Sequence, residues 1–161
     1  MASIHIRNFR PGDEPALRAV FHASVHGLAS KDYTSEQLAA WAPLDHDAAQ
    51  WAERMRANQP FIAQAVDGGA MAGFADLQAC GTIDMFFVAP AFAGQGVARA
   101  LMAHIHAQAA QCGIAHLHAH VSLTAEPFFS AQGFVVQARQ QVERAGVVLR
   151  NARMAKSLVP G

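Results

Sequence analysis

The segment from Thr82 to Ala109 constrains the fold of this chain more than any other part of the sequence. A strongly apolar stretch ends at Val88, and the run Gly94-Gln95-Gly96 follows shortly after it. Apolar residues then recur at helical spacing, at Val97, Leu101, Met102, Ile105 and Ala109. This pattern predicts a buried strand that leads through a glycine loop into a long amphipathic helix.

The start of that predicted helix has the properties of an anion-binding site. The first-turn N–H groups of a helix have no intrahelical acceptor, and Gly94 and Gly96 lack a Cβ that would keep a ligand away from the backbone. Both features suit a phosphate group. The two glycines alone are also compatible with an ordinary loop. They match neither the dinucleotide fingerprint, which needs a third glycine, nor a Walker loop, because no Gly-Lys-Ser/Thr follows.

The order of the predicted elements indicates a mixed α/β domain. A first strand near Ile4 precedes helices, and Thr34 or Ser35 and then Asp47 are suited to cap two of those helices. Turn residues predict two hairpins, at Asp67-Gly68-Gly69 and at Ala145-Gly146. Between the hairpins lie a strand, the long helix, a second strand and a short helix.

Composition excludes several classes of protein. With 161 residues the chain has the size of one domain. Its 12 Lys plus Arg balance 12 Asp plus Glu, so a broad nucleic-acid surface is not expected. No apolar run approaches the roughly 20 residues of a membrane span. Cys80 and Cys112 match no metal or redox spacing, which predicts free thiols in a cytoplasmic protein.

Two motifs in this order resemble those of a known superfamily. Phe87-Val88-Ala89-Pro90 is followed by Ala93-Gly94-Gln95-Gly96-Val97-Ala98, and a second block runs from Ala125 to Phe134, ending in Gly-Phe. From about Phe61 to Met154 the chain resembles the GNAT superfamily of acetyl-CoA-dependent N-acetyltransferases. The resemblance implies a central mixed, twisted sheet of about six or seven strands flanked by helices.

The resemblance also implies an organisation of the chain. We expect a single acetyltransferase domain over residues 1–161. Within it, 1–59 hold a first strand and acceptor-side helices, 60–112 form the cofactor-binding core, and 113–161 hold the C-terminal strands and helix.

Acetyl-CoA is the co-substrate that the resemblance implies, without a metal. Its pantetheine arm should lie along the strand end at Phe87 and Val88, and Phe129 should pack against that arm or the core. Its thioester should sit between this strand and the strand His116 to Val121, where an amine would attack it directly through a tetrahedral intermediate. The loop that receives the pyrophosphate is formed by Ala93, Gly94, Gln95, Gly96, Val97, Ala98 and Arg99.

Two positions depart from the family pattern. Ala93 stands where the family has Gln or Arg, and Phe129 stands where many members have a tyrosine that protonates the departing thiolate. Phenylalanine has no proton to give. Ser122 is a candidate to hydrogen-bond the sulfur or the acetyl oxygen, although it also suits a strand end satisfied by backbone. Tyr33 is a second candidate acid.

An amine acceptor must lose a proton, and Asp84 is the first candidate for the base. A carboxylate inside an apolar strand usually has a partner or a role, although a strand-start aspartate can also face solvent. His120 is a second candidate, as a base or a proton relay. It shares one strand face with His116 and His118, an arrangement that also raises the alternative of a zinc site.

The acceptor pocket is expected from the N-terminal helices. Trp41 and Trp51 suit either a pocket wall or the packing of two small helices. We expect transfer of an acetyl group to a primary amine of a small molecule or protein, by a monomer or homodimer without nucleic-acid or membrane partners. The alternatives are an acyl-CoA-binding sensor of the same fold without catalysis, and a histidine-based metal hydrolase.

Overall fold

The computed structural model describes residues 3–159. Within that range five α-helices are present, namely α1 (Glu14–Leu28), α2 (Ser35–Trp41), α3 (Ala48–Asn58), α4 (Val97–Cys112) and α5 (Glu126–Ala131). The strands are β1 (Ile4–Asn8), β2 (Phe61–Ala65), β3 (Met71–Ala75), β4 (Thr82–Ile83), β5 (Phe86–Val88), β6 (His116–Ser122), β7 (Val135–Arg144) and β8 (Val147–Ser157). The predicted mixed α/β order is confirmed.

Local sequence signals set several helix ends. Thr34 caps α2 through a capping box, because its hydroxyl accepts from the Gln37 N–H while the Gln37 side chain accepts from the Thr34 N–H. Asp47 caps α3 by accepting from the Gln50 N–H. Helix α4 ends at Gly113, whose φ of 69° is in the left-handed region. The predicted caps at Thr34 and Asp47 are confirmed.

The strands divide between two four-stranded sheets, with the orders β1-β2-β3-β5 and β4-β6-β8-β7. All neighbouring pairs are antiparallel except β4 with β6, which is parallel. The hairpins β2–β3 and β7–β8 are those that the turn residues predict. The predicted mixed sheet flanked by helices is confirmed, with a split between the two groups of strands.

The split lies within the segment predicted as one strand from Thr82 to Val88, and that prediction of a continuous strand is wrong. Strand pairing stops at Asp84 and Met85, between β4 and β5. The carboxylate of Asp76 accepts the N–H of Asp84 at 2.8 Å and that of Met85 at 3.1 Å. These donors are thus satisfied without a partner strand. Beyond this point β5 stays with β3, and a gap opens between β5 and β6.

Two hydrophobic clusters hold the halves of the domain together. The first packs α4 against both sheets, and it contains the predicted helical stripe, of which Leu101, Met102 and Ile105 are fully buried. The second packs α1, α2 and α3 against the other face, around Leu17, Phe74 and other residues. Both clusters include residues of β5, and the first also includes residues of β6. The strands on the two sides of the gap are therefore both packed against the core.

Cys80 and Cys112 are exposed free thiols, as predicted. In residues 3–159, no helix combines the length and the apolar character that crossing a membrane requires.

Candidate active site

A cavity of about 490 Å³ opens between β5, α1 and the N-terminal end of α4. Nearly all residues predicted to bind the cofactor line it: Phe87, Val88, Ala93, Gly94, Gly96, Val97, Ala98, Arg99 and Phe129. The remaining predicted residue, Gln95, does not line it, and its side-chain amide donates to the Ala91 carbonyl at 3.2 Å. We call this space the donor cavity.

The glycine loop leaves backbone donors free at the mouth of the donor cavity. Gly94 and Gly96 have φ values of 75° and 84°, which favour glycine strongly. A Cβ at Gly94 would meet no atom within 4 Å, so the loop faces open space. Gly96 caps α4 without a side-chain hydrogen bond, so the first-turn N–H groups from Val97 onward remain available. These donors and the helix dipole fit an anionic phosphate group.

Strand β5 supplies a second set of backbone groups. It is the edge strand of its sheet and pairs only with β3, from Phe86 opposite Ala75 to Val88 opposite Gly73. Its other edge faces the donor cavity. An extended ligand that carries amides, such as a pantetheine arm, can pair with such an edge.

A second cavity, of about 350 Å³, lies on the other side of Phe87. We call it the acceptor cavity. It is more polar than the first, because Arg54, Asp84, His120 and Asn151 contribute to its wall. The two cavities have three lining residues in common: Trp41, Phe87 and Ser122. They therefore meet at the gap between β5 and β6.

Asp84 lies in the acceptor cavity and is part of a polar network. One carboxylate oxygen, Oδ2, accepts from the Arg54 guanidinium at 2.9 Å and from the Asn58 amide at 2.7 Å. No hydrogen bond to the other oxygen is present among the described residues, so Oδ1 can receive a proton. The side chain is 35% exposed. The sequence suggested a carboxylate inside the strand, but the strand break at Asp84 turns it toward solvent.

The buried carboxylate of this region is Asp76, which sequence reasoning missed. It is fully buried, and the Asn58 amide donates to it as well as to Asp84. Burial raises the pKa of Asp76 from its ordinary 3.8 to about 6, although the backbone donors oppose this shift. The sequence signal that could have identified Asp76 is a single acidic residue directly after the apolar run that begins at Met71.

Ser122 is at the end of β6, where the two cavities meet. Its hydroxyl oxygen accepts the Ala125 N–H at 3.1 Å, and no acceptor for its proton is present among the described residues. The backbone bond therefore satisfies the oxygen but leaves the O–H free to donate. Ser122 has both features that the sequence left open, a backbone partner and a position in the gap.

Tyr33 is held by two backbone groups that are distant in sequence. Its hydroxyl donates to the Arg150 carbonyl at 2.5 Å and accepts the Leu123 N–H at 3.0 Å. Burial raises the pKa of the Tyr33 phenol above its ordinary 10.0. In this geometry its only proton is already donated, which opposes the predicted role as a substitute acid. The contacts tie the start of α2 to β6 and β8.

His120 is bonded to a side chain of the neighbouring hairpin. Its Nδ1 lies 2.8 Å from the Gln140 amide nitrogen, which also donates to Asn151 at 3.0 Å. This contact orients the imidazole at the wall of the acceptor cavity. His118 is bonded instead to the Thr82 hydroxyl. Among residues 3–159 no group of three or more His, Cys, Asp or Glu is arranged to hold a metal ion.

The aromatic residues divide between the core and the cavities. Phe129 is 2% exposed and packs edge-to-face on Phe86 and Phe134. Trp51 is buried, and its indole N–H donates to the Glu14 carbonyl at 2.9 Å. Trp41 is half-buried and lines both cavities. The sequence left two roles open for the tryptophans. Trp51 packs in the core, and Trp41 forms part of a cavity wall.

Comparison with known proteins identifies the family. Residues 29–158 match the acetyltransferase (GNAT) domain family. YafP of Escherichia coli (strain K12), an uncharacterized N-acetyltransferase, is 34% identical over 154 residues, which are 96% of this chain and 96% of YafP.

Solved structures agree with this assignment. The crystal structure of a GCN5-related N-acetyltransferase (Aminotransferase, Class-II) from Rhodopseudomonas palustris matches at a TM-score of 0.91 and 33% identity, over 98% of each chain. The structure of yncA from Salmonella typhimurium with its cofactor acetyl-CoA shares the fold, at a TM-score of 0.69 and 19% identity, over 99% of this chain and 96% of that one. The chain belongs to the GNAT family of acetyl-CoA-dependent N-acetyltransferases.

Proposed function

We propose that this protein transfers the acetyl group of acetyl-CoA to a primary amine of a small molecule or protein, by direct attack through a tetrahedral intermediate. The observation that carries the proposal is the meeting of the donor and acceptor cavities at Trp41, Phe87 and Ser122. An amine bound in one cavity can reach an acyl group bound in the other without passing through solvent. This arrangement brings the two reactants together in one orientation.

The donor cavity fits acetyl-CoA, which supplies the activated acetyl group as a thioester. The backbone edge of β5 at Phe87 and Val88 would hold the pantetheine arm. The loop from Ala93 to Arg99 would hold the pyrophosphate through backbone N–H groups. Those hydrogen bonds to a charged group are worth about 1.5–3 kcal/mol each, more than an exposed side chain contributes. Ala93 in place of Gln or Arg is therefore compatible with binding.

Asp84 is the base that we propose for the acceptor amine. Its free Oδ1 can take the proton directly or through a water molecule. Arg54 and Asn58 hold the other oxygen and so fix the orientation of the carboxylate. His120, which Gln140 orients at the wall of the same cavity, would serve as a relay for that proton.

Ser122 is the donor that we propose at the reacting carbonyl or at the departing sulfur. Its O–H is free, whereas the Tyr33 hydroxyl is engaged with Arg150. Phe129 has no proton to supply and packs in the core beside the cavity. The thiolate of coenzyme A can leave without being protonated first, because thiols have a pKa of about 8.5.

A second candidate function follows from Phe129. Because the tyrosine of many relatives is absent, the protein would be an acyl-CoA-binding sensor if Ser122 does not replace it. We propose the enzyme, because the free hydroxyl of Ser122 lies at the junction of the cavities and Asp84 lies in the wall of the acceptor cavity. We also propose one domain divided at residues 59 and 112, acting in the cytoplasm as a monomer or homodimer.

The test begins with acetyl-CoA binding, measured by isothermal titration calorimetry on the wild type, Gly94→Glu and Gly68→Glu. The two glycines have nearly equal φ values, 75° and 76°, and a Cβ at either meets nothing within 4 Å. The backbone strain of the two variants is thus matched, and only Gly94→Glu places a negative charge at the loop. We expect micromolar binding that Gly94→Glu abolishes and Gly68→Glu retains.

Release of coenzyme A in the presence of a panel of amines then separates the two functions. Turnover supports the enzyme. Binding without turnover on any amine supports the sensor. Equal loss of binding in both glycine variants, or no binding to the folded wild type, refutes the donor site.

A further inference from the structure

The wall of the acceptor cavity is positively charged. Three arginines line it, Arg54, Arg144 and Arg150, against a single carboxylate, Asp84. Asp84 is already paired with Arg54 at 2.9 Å. The ion pairs among residues 3–159 include neither Arg144 nor Arg150. The cavity therefore has cationic groups with no protein counter-charge, although the chain as a whole is neutral.

The register of the β7–β8 hairpin directs Arg144 to this cavity. Val142 pairs with Leu149, and both belong to the hydrophobic cluster beneath the cavity. Arg144 follows Val142 by two residues on β7 and therefore lies on the same face of the strand. Arg150 lies in the same wall and has a second contact there. Its backbone carbonyl accepts a hydrogen bond from the Tyr33 hydroxyl, and its guanidinium adds positive charge to the cavity.

We infer that the acceptor is an amine that also carries an anionic group, as an amino acid carries a carboxylate, and that Arg144 is a specificity-determining residue for that group. The inference rests on the proposed function. The amine would lie at the junction beside Ser122, and the anion toward Arg144. The guanidinium of Arg144 can form charge-assisted hydrogen bonds to the oxygens of a carboxylate or of a phosphonate.

The same charges act against other amines. A polyamine brings further positive charges into a cavity whose wall is already cationic, so like-charge repulsion disfavours it. An amino acid amide keeps the amine and the side chain of its parent acid but lacks the negative charge, so the pair probes the inference.

The experiment measures kcat/KM for matched pairs of amino acid and amino acid amide, with phosphonate analogues and spermidine as further acceptors. It uses the wild type, Arg144→Gln and Arg139→Gln. Arg139 lies on the same strand but pairs with Glu126, outside the cavity, so it controls for loss of a positive charge on β7. Binding is followed separately, as the shift in melting temperature that each acceptor causes without acetyl-CoA.

In the wild type we expect the acid to exceed its amide by about tenfold, the worth of a hydrogen bond to a charged group. Arg144→Gln should lower this ratio to about two or less, through a higher KM for the acids. Arg139→Gln should leave the ratio as in the wild type. Only the acids should raise the melting temperature.

Amides or spermidine accepted as well as the acids would overturn the inference, and so would a ratio that Arg144→Gln leaves intact. Acetylation of amides would still support the proposed acetyl transfer, so the two failures are distinguishable. If no acceptor turns over, the melting temperatures decide the inference. A shift with acids that Arg144→Gln removes supports it, and equal shifts with acids and amides refute it.

Discussion

Replacing Asp76 with asparagine should remove a pH dependence that this buried carboxylate imposes on stability. The pKa of Asp76 is raised from 3.8 to about 6 by burial. The folded state therefore binds the proton more tightly than the unfolded state. Between about pH 4 and pH 6 the folded protein holds more protons, so the contribution of Asp76 to the free energy of unfolding falls as pH rises.

The size of the effect follows from the shift. A displacement of about 2 pKa units, at 1.36 kcal/mol per unit, corresponds to about 3 kcal/mol. The contribution of Asp76 is fully present below about pH 4, where the carboxyl is protonated in both states, and is lost above about pH 6. Asparagine is neutral throughout and keeps one acceptor oxygen. Like the protonated acid, it places a donor against one of the backbone N–H groups of Asp84 and Met85.

The assay is urea unfolding from pH 4 to pH 7.5, followed by tryptophan fluorescence, for the wild type and Asp76→Asn. The two proteins differ only at this residue, so the difference in free energy reports on Asp76. We expect the free energy of unfolding of the variant, minus that of the wild type, to increase by about 3 kcal/mol over this range. A constant difference would refute the raised pKa. A decrease would show that the donors from Asp84 and Met85 outweigh burial.

Two further substitutions test Asp84, in the acceptor cavity, and Ser122, at the junction of the two cavities. Asp84→Asn should lower kcat by about 10²- to 10⁴-fold, as expected for loss of a general base; an unchanged kcat would remove Asp84 from the mechanism. Ser122→Ala should lower kcat by about 10- to 100-fold with the affinity for acetyl-CoA unchanged. The control Ser130→Ala, at an exposed position of α5, should have no effect. Equal activity of the two variants would show that Ser122 only stabilises the end of its strand.

The sequence determined the features that depend on neighbouring residues. Thr34, Asp47 and Gly113 mark helix ends because a cap involves groups within one turn. The glycine loop before α4 and the two hairpins are equally local. The apolar stripe of α4 identified its buried face, because helical periodicity follows directly from the chain. These signals were sufficient for the mixed α/β order and for the expected donor loop.

The tertiary structure alone decided how the site is assembled. Asp76 interrupts the predicted strand because its carboxylate lies against Asp84 and Met85, a contact that the apolar pattern of the strand does not encode. The Tyr33 hydroxyl donates to the Arg150 carbonyl, which is 117 residues away, and this contact opposes its predicted role as a substitute acid. The separation of Trp41 from Trp51, and the direction of Arg144, likewise depend on packing and strand register. Such long-range contacts arise only when the whole core forms, because each one requires elements from distant parts of the chain to be ordered together.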